Sequence, residues 1–191
     1  MNVCLYGASS NEINPKYIQS TEALGEALAQ AGHTLVYGAG GCGLMGAAAR
    51  GMTRHGGYIV GVVPEFLNVD GILYDGCDEM VYTETMRQRK QIMEERSEAF
   101  IVTPGGIGTY EEFFEIYTLK QLGRHQKPII LYNIDGFFDR LYDILKGLVE
   151  DGFMKEVCLS LLTFASTPEE VLAQLDTVTP TVTVTDTKYV G

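Results

Sequence analysis

The chain has 191 residues, of which 46% are hydrophobic and 20% are charged, and its formal net charge is −11. This length and composition are typical of one globular domain that buries a sizeable core. The negative charge argues against nucleic acid or an anionic membrane as a partner, because both favour a basic protein face.

The cysteines and histidines show no spacing typical of a disulfide framework or a metal site; they are Cys4, Cys42, Cys77, Cys158, His33, His55 and His125. We therefore expect no metal site and a reducing, cytoplasmic setting. The N-terminus lacks the pattern of a secretion signal, and no apolar stretch is long enough to span a bilayer.

Short apolar runs alternate with helical patterns along the chain. Strands are predicted at residues 2–6, 34–37, 58–63, 79–82, 99–102, 129–132 and 161–165. Helices are predicted at residues 15–31, 47–54, 85–98, 109–122, 137–152 and 167–175. The alternation predicts a single Rossmann-like, doubly wound parallel sheet of about six to seven strands with helices on both faces. We expect residues 1–176 to form this single α/β domain and the tail 177–191 to be extended or disordered.

Small-residue turns follow three of the predicted strands, at residues 7–10, 38–46 and 105–108. Because ligands bind beyond the carboxyl ends of parallel strands, these turns are expected to converge on one crevice. The second turn matches the dinucleotide fingerprint Gly-x-Gly-x-x-Gly, but it follows the second strand. The fingerprint also requires an acidic residue about 20 residues further on, at the end of the next strand. The candidate here is Glu65, which lies after Pro64 and therefore beyond the end of that strand. A smaller nucleotide fits this turn better than NAD.

The stretch from Thr103 to Glu112 reads Thr-Pro-Gly-Gly-Ile-Gly-Thr-Tyr-Glu-Glu, between an apolar strand and a helix. Glycines at such a junction let the backbone approach a ligand, and the first helical turn attracts negative charge. The stretch therefore predicts a phosphate-binding turn that carries a functional carboxylate, Glu112. A structural interpretation remains open, because Thr109 and Glu112 also fit a capping box.

The helix at 85–98 places Met86, Arg89, Lys90 and Met93 on roughly one side. A solvated basic face would explain this spacing. A functional interpretation is favoured because basic residues are scarce in this acidic chain and the cluster immediately precedes the glycine-rich strand end.

Arg89-Lys90 followed by Pro104-Gly-Gly-Ile-Gly-Thr-Tyr-Glu-Glu112 resembles the R-K … P-G-G-x-G-T-x-x-E signature of the LOG ("lonely guy") family. Residues 37–46, Tyr-Gly-Ala-Gly-Gly-Cys-Gly-Leu-Met-Gly, are similar to its Y-G-G-G-x-x-G-L-M-G. The resemblance covers roughly residues 3–152. The chain departs from the family at Ala39, which replaces a glycine, at Arg87, where histidine is common, and in segment 65–79.

The resemblance implies hydrolysis of the N-glycosidic bond of a nucleoside 5′-monophosphate, such as an N6-modified AMP, to the free base and ribose 5-phosphate. It implies Arg89 and Glu112 as the catalytic pair, with no metal or other cofactor. The substrate-contacting and phosphate-contacting residues that it implies are Ser9, Gly41, Met45, Met86, Lys90, Gly105, Gly106, Ile107, Gly108, Thr109, Tyr110, Glu111 and Thr118. It further implies a homodimer with the sites near the interface. The preferred base remains open among adenine, an N6-prenylated adenine and other bases.

Three other functions compete with this interpretation. A non-catalytic nucleotide or molybdenum-cofactor carrier on the same fold would need the glycine cradle but not Glu112. A lysine decarboxylase would need pyridoxal phosphate on a buried lysine, and neither Lys90 nor Lys127 lies in a stretch that suggests one. An NAD-dependent enzyme is disfavoured by the fingerprint's context.

Overall fold

The computed structural model describes residues 1–176 and 181–188. Its strands are β1 (Asn2–Tyr6), β2 (Thr34–Tyr37), β3 (Ile59–Pro64), β4 (Glu79–Thr83), β5 (Ala99–Val102), β6 (Ile129–Tyr132) and β7 (Thr163–Ala165). Its α-helices are α1 (Pro15–Gln30), α2 (Gly43–Arg54), α3 (Met86–Arg96), α4 (Ile107–Gln121), α5 (Asp139–Glu150), α6 (Pro168–Leu175) and α7 (Val184–Thr187). Short 3-10 helices occupy Glu65–Leu67, Ile134–Gly136 and Glu156–Leu161.

The strands form one seven-stranded sheet in the order β4-β3-β2-β1-β5-β6-β7, and every pairing is parallel. The predicted fold class is therefore confirmed. The strand order changes direction between β1 and β5, so the chain places a topological switch point beyond the ends of these two central strands.

Successive side chains of each central strand point to opposite faces of the sheet, and each face carries its own hydrophobic core. In β5, Phe100 packs with Tyr6 and Phe113 on one face of the sheet. Ile101 packs on the other face, where Leu5 and Leu28 are also fully buried. Each fully buried side chain of this kind contributes about 1.5–3 kcal/mol, so both faces hold β1 and β5 rigidly beneath the switch point.

Two helices begin earlier than the sequence predicts. Helix α2 starts at Gly43, whose φ of +60° is unfavourable for other residues and whose added Cβ would overlap the carbonyl oxygen of Ala8. Helix α4 starts at Ile107 with Gly106 as its N-cap, although no side chain caps it. Both helices therefore begin against the glycine turns and point their N-termini at the same edge of the sheet.

The described part of the C-terminal tail, residues 181–188, is not extended: it includes the helix α7. The helix forms because Thr183 and Asp186 cap each other reciprocally, with the Thr183 N–H donating to Asp186 Oδ2 at 2.7 Å. Thr187 is buried. The remainder of the predicted tail, residues 177–180 and 189–191, lies outside the described residues.

Candidate active site

A cavity of about 650 Å³ opens beyond the carboxyl ends of β1, β2 and β5. Cavities of this size are typical of sites for small molecules. Its wall includes residues from all three of the predicted glycine turns. The prediction that these turns converge on one crevice is confirmed.

Ala8 ties the three turns together through its backbone. Its N–H donates to the carbonyl oxygen of Pro104 at 3.0 Å, and its own carbonyl oxygen accepts from the N–H of Leu44 at 2.8 Å. The side chain of Asn11 accepts from the N–H of Gly43 at 2.8 Å. The turns after β1, β2 and β5 are thus held in one fixed arrangement by hydrogen bonds of the main chain and of the Asn11 side chain.

The N-terminus of α4 forms an anion cradle in the cavity wall. Its first turn is 107–109, and N–H groups at this position have no acceptor within their own helix. Cβ atoms added at Gly106 or Gly108 would meet no atom within 4 Å, so the space in front of this turn is open. Exposed N–H groups and the positive end of the helix dipole favour a phosphate here.

Glu112 is not a capping residue, so the capping-box interpretation of residues 109–112 is wrong. The N-cap is Gly106, which places Thr109 inside the first turn instead of at its start. The carboxylate of Glu112 lines the cavity and accepts a hydrogen bond from Arg89 Nη1 at 2.6 Å.

The Arg89–Glu112 ion pair is nearly closed off from solvent. The side chains are 8% and 11% exposed, respectively. Arg89 Nε also donates to the carbonyl oxygen of Val62 at 3.2 Å, at the end of β3. Burial raises the pKa of Glu112 above its ordinary value, and the positive charge of Arg89 opposes that rise. A carboxylate with a raised pKa beside a cavity is suited to accepting a proton.

Lys90 is directed at two carboxylates on α4 instead of at the cavity. It pairs with Glu111 and, at 2.5 Å, with Glu115. Partial burial by itself would lower the pKa of Lys90, but these two carboxylates outweigh it and the pKa is raised. Lys90 therefore joins α3 to α4 directly beside the Arg89–Glu112 pair.

The structure brings most of the predicted site residues to the cavity wall: Ser9, Met45, Met86, Arg89, Gly106, Ile107, Gly108, Thr109 and Glu112. Others lie outside the wall of this cavity: Gly41, Lys90, Gly105, Tyr110, Glu111 and Thr118. Gly105 lies directly beneath the cradle, where an added Cβ would overlap Thr109 Oγ1. Thr118 lines a separate surface groove with Phe114 and Tyr117.

Sequence reasoning assigned no site residue in segment 65–79, yet Leu67, Gly71, Ile72 and Leu73 line the cavity. The N–H of Gly41 donates to the carbonyl oxygen of Ile72 at 2.8 Å, and Gly40 and Leu73 form an isolated antiparallel bridge. These bonds fold the segment across the second glycine turn. Further wall residues not assigned individually are Gly7, Ala8, Gly38, Gly40, Cys42 and Val63.

The cavity wall contains no lysine among its described residues, so it offers no amine for a Schiff base with pyridoxal phosphate. Within residues 1–176 and 181–188, no group of three or more His, Cys, Asp or Glu side chains is arranged to hold a metal ion. A search of the same residues found no helix of the length and apolarity that a membrane span needs.

The fold and this cavity define a doubly wound α/β protein with an open helix N-terminus and a buried Arg–Glu pair at its switch point. A family model described as "Possible lysine decarboxylase" matches residues 45–175. A cytokinin riboside 5′-monophosphate phosphoribohydrolase of Mycobacterium tuberculosis is 38% identical, over 89% of this chain and 90% of its own. A probable enzyme of the same name from Arabidopsis thaliana is 34% identical, over 94% and 89%. The chain belongs to this family, the LOG family.

Solved structures with the same fold include proteins of another function. The molybdenum cofactor binding protein of Rippkaea orientalis superposes with a TM-score of 0.67 at 23% identity, over 90% of this chain and 91% of its own. The molybdenum cofactor carrier protein of Chlamydomonas reinhardtii gives 0.68 at 20% identity, over 90% and 93%. At these identities the likeness establishes the fold alone.

Proposed function

We propose that this protein hydrolyses the N-glycosidic bond of nucleoside 5′-monophosphates, giving the free base and ribose 5-phosphate. The observation that carries the proposal is the buried Arg89–Glu112 pair beside an open anion cradle in one cavity. The relatives in the LOG family that are named cytokinin riboside 5′-monophosphate phosphoribohydrolases support the same reaction.

The substrate's phosphate is proposed to lie at the first turn of α4, against the N–H groups of 107–109. A phosphate fixed there holds the ribose, and its binding energy helps to bring the reacting carbon into place. Gly106 and Gly108 leave the space for its oxygens, since added Cβ atoms at both positions would point into open volume.

The chemistry is proposed to centre on C1′ of the ribose. As the C1′–N bond breaks, positive charge spreads over C1′ and the ring oxygen, and the Glu112 carboxylate stabilises it. Glu112 also accepts a proton from the attacking water, whose oxygen forms the new bond to C1′ as the C1′–N bond breaks. The leaving nitrogen of the base takes a proton from solvent water, and Glu112 returns its own proton to solvent, so that the net reaction consumes one water. Arg89 keeps Glu112 ionised and oriented, and it lies within the same cavity wall.

The base is proposed to lie against the apolar part of the wall, which includes Met45, Leu67, Ile72, Leu73 and Met86. Such a wall accepts a purine and an apolar substituent on it, including an N6-prenyl group. Because AMP and prenylated AMP share the phosphate, the ribose and the scissile bond, we expect both to react, with prenylated AMP preferred through its added apolar contacts. With prenylated AMP as substrate, the reaction is a step of cytokinin biosynthesis.

A homodimer is proposed as the working assembly. Large apolar side chains are exposed on α4, on α5 and just after α5: Phe114, Ile144, Leu148 and Phe153. Three of them, Phe114, Leu148 and Phe153, line one surface groove, and exposed apolar surface of this kind is typical of a contact with another protein chain. Thr118, which the family resemblance assigns to the site, lies on the same surface. We further propose a cytoplasmic location, which the free state of all four cysteines supports.

A non-catalytic carrier is the second candidate, and the observation that favours it is the fold shared with molybdenum cofactor carriers. A carrier would need the cradle, but it would gain nothing from a buried carboxylate with a raised pKa. Among the described residues of the cavity wall, Glu112 is the acidic one.

The test is to incubate the purified protein, without added metal or cofactor, with AMP, N6-prenylated AMP and the other common monophosphates. Chromatography then measures the free base. Adenosine and N6-prenyladenosine serve as matched controls that lack the phosphate. We expect base release from the monophosphates and at least about 100-fold less from the nucleosides. Tight binding of monophosphates with no release from any of them would favour the carrier.

A further inference from the structure

The guanidinium group of Arg89, which pairs with Glu112, packs against the backbone of Gly38. The guanidinium group lies over Gly38, at the end of β2, with Nη2 closest to the glycine. A Cβ atom added at Gly38 would overlap Nη2 and would lie 3.1 Å from Cζ and 3.3 Å from Met45 Sδ. The guanidinium group therefore occupies the volume that any other residue at position 38 would fill.

The backbone does not explain why this position holds a glycine. Positive φ angles occur at other glycines, such as Gly32, Gly43 and Gly71, but not at Gly38. The φ angle of Gly38 therefore lies outside the left-handed region that favours glycine. Position 38 therefore holds a glycine because the guanidinium group of Arg89 occupies the space that a side chain would need.

The guanidinium group is also held on its other sides. Nε donates to the carbonyl oxygen of Val62, and Nη1 donates to Glu112. A methyl group at position 38 displaces the mobile end of Arg89 more easily than it displaces backbone. Any such displacement lengthens the hydrogen bond to Val62, the hydrogen bond to Glu112, or both.

We propose that Gly38 is a positioning residue for the Arg89–Glu112 pair: its missing side chain allows the guanidinium group to lie where it orients Glu112 and keeps it ionised. The part of this inference that concerns catalysis rests on the proposed hydrolysis, whereas the geometry of the pair does not. Gly38 thereby positions the Arg89 side chain. This role differs from the close approach to phosphate that glycine-rich turns commonly provide.

The experiment compares Gly38→Ala with Gly147→Ala. Gly147 lies on α5, and a Cβ there would meet no atom within 4 Å, so its substitution controls for the added methyl group. In Gly38→Ala we expect kcat/KM for AMP to fall about 100-fold, as for a small displacement of a catalytic group. We also expect the titration of the Glu112 carboxyl, followed by ¹³C NMR and assigned with Glu112→Gln, to move to higher pH.

The NMR titration separates this inference from the proposed function. If the unmodified protein hydrolyses no monophosphate, the proposed function fails, and the shift of Glu112 in Gly38→Ala still decides the positioning role. An unchanged Glu112 titration in a folded Gly38→Ala protein overturns the inference, and so does an unchanged kcat/KM.

A double variant keeps the test decisive if Gly38→Ala does not fold. In Gly38→Ala/Arg89→Ala the guanidinium group is absent, so the space that the added methyl group at position 38 needs is free. Recovery of the fold in the double variant supports the inference, because it identifies the overlap with Arg89 as the cause. Failure of both proteins to fold, with Arg89→Ala alone folded, contradicts it.

Discussion

Arg89 Nη1 lies 2.6 Å from Glu112 Oε1, joining α3 to α4 inside a cavity wall where both side chains are about one-tenth exposed. Burial raises the pKa of Glu112, Arg89 opposes the rise, and the nearby charges of Glu111 and Lys90 have smaller, opposite effects. The pair therefore controls the protonation state of the proposed catalytic carboxylate.

The pH dependence of activity follows from this control. Glu112 must be ionised to act, so kcat/KM is expected to rise with pH through a midpoint above the ordinary glutamate value of about 4.3. In Arg89→Gln the residual activity should have its acid limb at still higher pH, because the charge that lowers the pKa of Glu112 is gone. Glu115→Gln, one turn along α4, is the control and should leave the midpoint unchanged. A midpoint that does not move in Arg89→Gln would contradict the assignment.

Gly108→Ala tests the phosphate cradle. The added methyl group meets no protein atom but occupies space in front of the first turn of α4. Since alanine is also the better helix former, the free energy of unfolding should rise by about 0.5 kcal/mol. We expect KM for AMP to rise at least tenfold, which corresponds to about 1.4 kcal/mol. Gly147→Ala should bring the gain in stability without the change in KM, and an unaltered KM in Gly108→Ala would place the phosphate elsewhere.

Cys42 should be the most reactive thiol of the folded protein. It is exposed and lines the cavity, whereas Cys4 and Cys158 are buried and Cys77 is half-buried. Burial raises the pKa of Cys4 to about 12, so this thiol stays protonated and unreactive. Mass spectrometry after brief exposure to iodoacetamide should find Cys42 labelled first. Ribose 5-phosphate should slow that labelling. Equal labelling rates with and without it would show that the bound ligand does not cover Cys42.

His125 should make stability fall in mild acid. Its Nε2–H donates to the carbonyl oxygen of Ile116 at 2.8 Å, while Nδ1 accepts from the N–H of Lys127 at 3.2 Å. Burial lowers its pKa to about 4, so the folded state binds its proton less readily than the unfolded state, where the pKa is about 6.5. Stability is then complete above about pH 6.5 and declines towards pH 4, by about 3 kcal/mol from this residue. Urea denaturation of His125→Gln should show a smaller decline over the same range.

The sheet was predictable because its signal is local. Strands β1, β2, β5 and β6 coincide with the apolar runs of the sequence, since strands buried on both faces need continuous apolar residues. The glycine turns were placed correctly at the carboxyl edge for the same reason. The pairing of Arg89 with Glu112, by contrast, joins two helices and was suggested only by the resemblance to the LOG family.

The start of α4 and the wall formed by residues 67–73 were not predictable from local patterns. The N-cap of α4 is Gly106, so the helix starts before Thr109, although Thr109 is the residue that local capping preferences would select. Segment 67–73 is placed by hydrogen bonds to the second glycine turn, including the one from Tyr74 N–H to the carbonyl oxygen of Ala39 at 2.9 Å. Ala39 adopts a φ of 60° at this contact, a conformation that favours glycine, which is the residue that the LOG signature has at this position.

The most direct test of the account is the turnover of Glu112→Gln with AMP, measured beside the binding of AMP to the same protein. Glutamine keeps the shape of the side chain and an oxygen that accepts from Arg89, so fold and binding should be retained. It cannot accept a proton or stabilise positive charge at C1′, so kcat should fall at least about 100-fold. Near-normal turnover in Glu112→Gln would contradict the central claim that this carboxylate performs the hydrolysis.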